Sequence, residues 1–165
     1  MNMKRNEFLK LVTGIIGGLG IPAVFGDFAN AAQTENTTGT ALDDSYLIKG
    51  LTGMAKADDW FQAHWGAGIL AGYYLCRENK LNEETVAGIK AQLDSALKLR
   101  ASQFDPLPDE KADEALIEDI PNALAPAMTG GLRSHGHAVI FASLSTRALR
   151  DAPQMAQPTL IRSLC

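Results

Sequence analysis

Cysteine, histidine and clustered basic charge are all scarce in this sequence, and each scarcity removes a class of function. Two cysteines, Cys76 and Cys165, are too few for a disulfide framework or a thiolate zinc site. Lysine and arginine form no stripe and the formal charge is −4, so nucleic acid is excluded as a partner, because neutralising phosphates needs clustered cations. No glycine-rich phosphate loop, His-Glu-x-x-His zinc motif or Gly-x-Ser-x-Gly elbow occurs, so Ser143 and Ser145 have no hydrolase setting. No run alternates with period two over enough residues to predict a strand.

Hydrophobic residues make up 46% of the 165 and charged residues 21%, which is ordinary globular usage. The first zone of the chain is basic (Lys4, Arg5, Lys10), the next uncharged from Leu11 to Gly26, and the last small, at Ala29-Asn30-Ala31. That order is the grammar of a secretory signal peptide, with Ala29 and Ala31 in the small-residue positions and cleavage before Ala32. Within it, Arg5-Asn6-Glu7-Phe8-Leu9-Lys10 resembles the twin-arginine export motif, with Asn6 standing where a second arginine is usual. The resemblance rests on Arg5, Phe8, Leu9 and Lys10 and covers the signal alone. It implies the export machinery and signal peptidase as partners, and a periplasmic or extracellular destination. The twin-arginine and general routes both stay open. The expected organisation is a signal peptide over 1–31, a flexible linker over 32–41, and one helical domain over 42–165.

Without its signal the chain carries 12 basic and 17 acidic residues. Its apolar spacing predicts an all-α fold of antiparallel helix hairpins, the front part of an α/α array or toroid. Asp43 or Asp44 caps a first helix bearing Leu47, Leu51 and Met54. Trp60 to Cys76 holds no Asp, Glu, Lys or Arg over seventeen residues, which predicts a helix buried on all sides. Gln62 and His64 inside it, and a length at the short end for a bilayer, argue against a membrane span. Small residues at Ala63, Ala67, Ala71, Gly68 and Gly72 place a tight helix contact at Ala67 and Gly68.

Asn82 caps the next helix, where Val86, Ile89, Leu93 and Leu97 form an apolar stripe. Asp109 is expected to cap another through Ile120, carrying an acidic face of Asp109, Glu110, Asp113, Glu114, Glu118 and Asp119. Pro121 and Pro126 then leave room only for short turns. Ser134 caps a helix to about Arg150, and Pro158 starts a last one that ends before it can secure Leu160 and Ile161. The domain is therefore expected to be incomplete at its C-terminal end.

Two of three histidines, His135 and His137, flank Gly136 after a Gly130-Gly131 loop. At a helix start the dipole keeps imidazoles neutral, the form that binds metal or takes a proton. On a regular helix the two rings diverge, so one centre needs an irregular first turn, which Gly136 permits. One reading joins His64, Asp59, His135 and His137 in a site for a divalent metal or an acid–base pair. The other leaves the histidines separately satisfied, with His64 in the core beside Trp60, Phe61, Trp65, Tyr73 and Tyr74. The corresponding functions are an enzyme using His64, His135 and His137, and a non-enzymatic extracytoplasmic binding or scaffold module. Clustering of the imidazoles in one concave pocket favours the first, and dispersal the second.

Overall fold

A computed structural model describes residues 41–129, 131 and 136–165. Among them are six α-helices and no strand: α1 (Ser45–Ala55), α2 (Trp60–Glu78), α3 (Glu83–Leu99), α4 (Asp119–Met128), α5 (His137–Asp151) and α6 (Pro158–Leu164). Single 3-10 turns occupy Ala101–Phe104, Glu114–Glu118 and Pro153–Met155. The all-α reading holds, and no described helix is long and apolar enough to cross a membrane. The signal, its cleavage site and the linker up to residue 40 lie outside the described residues.

Helices α1 and α2 form an antiparallel hairpin closed by residues 56–59. Asp44, at the entry to α1, accepts a 2.6 Å hydrogen bond from Tyr73 late in α2, while Met54 at the far end of α1 meets Gly66 early in α2. The two backbones approach through glycine. A methyl group on Gly66 would stand 2.5 Å from the Gly50 carbonyl oxygen and 2.7 Å from Met54 Cγ, and one on Gly53 would stand 2.7 Å from Phe104 Cδ1. Only glycine allows that separation. The expected contact at Ala67 and Gly68 is half right. Ala67 is buried, but a methyl group on Gly68 would meet nothing within 4 Å. Gly66 takes its place, because residues two apart on a helix point to nearly opposite sides.

The same alternation corrects the expectation that α2 is buried all round. Ala63, Gly66, Ala67, Ile69, Leu70, Tyr73, Tyr74 and Cys76 are buried, whereas Trp60, Phe61, His64, Gly68, Ala71 and Leu75 are exposed. Both faces of this helix are apolar in composition, so composition could not tell them apart.

Helix α3 follows its stripe, with Val86 and Leu93 buried, Ile89 and Leu97 packed partly against the core, and Asn82 capping through Thr85 N at 2.8 Å. Leu93 fits over Gly72. Beyond Phe104 the expected Asp109 helix does not form. Residues 106–113 are irregular, Asp113 caps the following 3-10 turn through Ala115 N, and Asp109 accepts instead from Gln157 Nε2 at 3.2 Å. The acidic set therefore presents no common face. Glu118 reaches Arg150 at 3.0 Å and Glu110 holds Thr159.

Pro121 and Pro126, expected to restrict the chain to turns, both lie within α4. Pro121 sits in the first turn, where its missing N–H is not needed. Pro126 is exposed, so water can take the carbonyl it leaves unbonded. Helix α6 begins at Pro158 as expected, yet Leu160 and Ile161 are buried in the core that Leu47 and Leu51 of α1 share. A seven-residue helix persists here because α1 covers it.

An imidazole and aromatic face at the start of two helices

Asp59 ends the α1–α2 loop in extended conformation, and its carboxylate accepts from Gln62 N at 2.8 Å, which starts α2. The first turn of α2 carries Trp60 and Phe61, which remain 57% and 64% exposed. One turn later stands His64, exposed rather than in the core. Its Nδ1 lies 2.9 Å from the Trp60 carbonyl oxygen and 3.2 Å from that of Phe61. A carbonyl only accepts, so Nδ1 carries the proton and the lone pair of the neutral ring lies on Nε2.

Helix α5 supplies the facing rings. Gly136 precedes it at φ 83°, a left-handed conformation that suits glycine, and no side chain caps the helix from that position. His137 is the first helical residue, half-buried. Its ring centre is 4.9 Å from that of His64, with the planes at 70°, and 4.8 Å from the Trp60 ring. Phe141, one turn on, closes the group at 5.2 Å from His64 and 6.0 Å from His137.

The structure thus unites His64 and His137 from the expected set. Asp59 is occupied as a helix cap, and no three His, Cys, Asp or Glu residues among those described gather closely enough to hold a metal. His135 and the Ser134 cap lie outside the described residues. Phe141 was not anticipated, although its spacing of four from His137 puts both on one side of a helix. Of the aromatic set, Tyr73 and Tyr74 are core and Trp65 is partly buried.

Other polar groups are committed to structure. Ser145 is buried and donates to the Phe141 carbonyl at 2.7 Å. Tyr74 donates to Asp151 at 3.0 Å, and Arg77 pairs with the same carboxylate at 3.2 Å. Burial, and then the Asp151 carboxylate, push the Tyr74 hydroxyl well above its ordinary range, so it stays a donor. A hollow of about 580 Å³ between α4 and α5 is lined by Glu118, Pro121, Ser143, Thr146 and Arg147 among others, and one of about 530 Å³ lies against α6 by Ile161 and Cys165. Neither is lined by a histidine. No protein-family model matches this chain, and no curated protein or solved structure matches it.

Proposed function

We propose that this protein is an exported helical binding module that meets its ligand on the face made by Trp60, Phe61, His64, His137 and Phe141. The exposure of Trp60 and Phe61 beside two imidazoles carries the reading. Burying a large aromatic ring is worth about 1.5–3 kcal/mol, and the free domain forgoes much of that at both rings. Binding recovers it. An acid–base enzyme is less well supported, because the expected orienting carboxylate, Asp59, serves Gln62. His64 is oriented by neutral carbonyls, which offer a developing imidazolium much less than a carboxylate does.

Export rests on the signal grammar of residues 1–31, with the twin-arginine-like Arg5, Phe8, Leu9 and Lys10 and cleavage before Ala32. Intact-mass analysis of the protein from the extracytoplasmic fraction is expected to show Ala32 as the first residue. Recovery only from the cytoplasm, with residues 3–28 still attached, would remove export. The binding face is tested by the double substitution Trp60→Lys, Phe61→Lys in the full chain. If these rings are kept for a ligand, the unfolding free energy stays within roughly 0.5 kcal/mol per site of that of the unaltered protein and solubility rises. A stability loss of the size that core truncation causes, about 3–5 kcal/mol, read from the melts, would mean that the rings support the fold instead.

A further inference from the structure

We infer that His64 and His137 together bind one divalent transition ion of the zinc, copper or nickel kind, which would make that ion the ligand, or part of the ligand, of the face proposed above. The inference rests on that reading for its place in the protein's function, and on the following geometry for its chemistry. His64 Nδ1–H is held by the carbonyl oxygens of Trp60 and Phe61 at 2.9 and 3.2 Å. A backbone carbonyl on one ring nitrogen is the arrangement that fixes the tautomer of a metal-binding histidine and aims the other nitrogen outward. His64 is an exposed residue, so an ion can reach this face from solvent.

The second imidazole stands at the separation a shared ion needs. With metal–nitrogen bonds of about 2.1 Å and each nitrogen roughly 1.1 Å from its ring centre, two imidazoles on one tetrahedral or square ion have centres about 4.5–5.2 Å apart. The observed separation is 4.9 Å. The two rings come from different helices, each at or near its start, so their spacing is set by the packing of α5 on α2. Imidazole donors select zinc, copper and nickel over magnesium and calcium, which prefer carboxylate and carbonyl oxygens. Trp60 flanks His137 and Phe141 flanks His64. With two protein donors, the remaining coordination positions are left to water or to a donor atom of an incoming molecule.

The test is a titration of the full chain with Zn²⁺ against a chromogenic chelator, together with Cu²⁺ electron paramagnetic resonance. One equivalent is expected to bind, with hyperfine coupling to two imidazole nitrogens and quenching of tryptophan fluorescence. His64→Gln and His137→Gln should each weaken binding roughly tenfold or more, with the helical spectrum unchanged. The inference is overturned if either substitution leaves affinity intact, if excess Mg²⁺ competes equally, or if His135→Gln alone abolishes binding. The two readings fail separately. Absence of Zn²⁺ binding removes the ion with the Trp60→Lys, Phe61→Lys melting result untouched, whereas a melting collapse removes the recognition face without altering a titration of the native chain.

Discussion

Glu110 stands in the irregular stretch between the 3-10 turn of Ala101–Phe104 and that of Glu114–Glu118, yet it secures the start of α6. One carboxylate oxygen accepts from Thr159 N at 2.7 Å and the other from Thr159 Oγ1 at 2.8 Å, across 49 residues of sequence. These bonds, the backbone N–H first, hold the carboxyl below its ordinary pKa. A carboxylate depressed in the folded state adds stability that is present above the ordinary value of 4.5 and disappears as pH falls through the folded one. Glu110→Gln, which keeps one acceptor and loses the charge, should therefore lower the Tm at pH 7. The gap between the two proteins should close as the pH falls below the ordinary carboxylate value, and a pH-independent gap would mean that charge is not what caps α6. Nothing local marks Glu110 for this role, since in sequence it is one acid among six. The imidazole pair was more legible. His64 and His137 stood out because histidine is rare here, His137 at an expected helix start and His64 within a helix expected to be buried, but exposure depends on what packs outside α2, which its own residues do not encode.

The glycine seam between α1 and α2 gives helix α2 two sides with opposite responses to the same change. Gly66→Ala puts a methyl group against Gly50 and Met54, and overpacking of this kind costs about 1–3 kcal/mol. Gly68→Ala meets empty space and should stabilise by about 0.5–1 kcal/mol, because alanine loses less backbone freedom in a helix. Thermal melts of the two single variants should move in opposite directions, and a shift of the same sign would mean the seam lies elsewhere. Periodicity placed α2, α3 and the start of α6, since caps such as Asn82 and a first-turn proline act within a few residues. It misplaced the elements around 109–126. There, acids and prolines were read as an amphipathic helix followed by breaks, whereas Asp113 caps a 3-10 turn, Pro121 sits in the first turn of α4 and Pro126 lies inside that helix at an exposed position.

At the scale of the whole molecule, the all-α class was legible because no stretch carried a strand period, while the closure of the fold was not. The first helix and the last are partners: Leu47 and Leu51 of α1 share a core with Leu160 and Ile161 of α6. Asp113 N–H donates to the Ala156 carbonyl at 2.9 Å, which ties the middle of the chain to the same end. Pairings of this range are invisible to a window of residues, and a helix as short as α6 looks unsupported until its distant cover is known. They also set a schedule for synthesis. Chains emerge from the ribosome N-terminus first, and a segment can fold only once its partners are out. Helix α1 leaves early and meets α2 soon after, but the part of its surface that α6 covers waits for residues 158–164. Throughout that interval the side of α1 that meets Leu160 and Ile161 stays open, so this part of the core closes only after residues 158–164 have emerged.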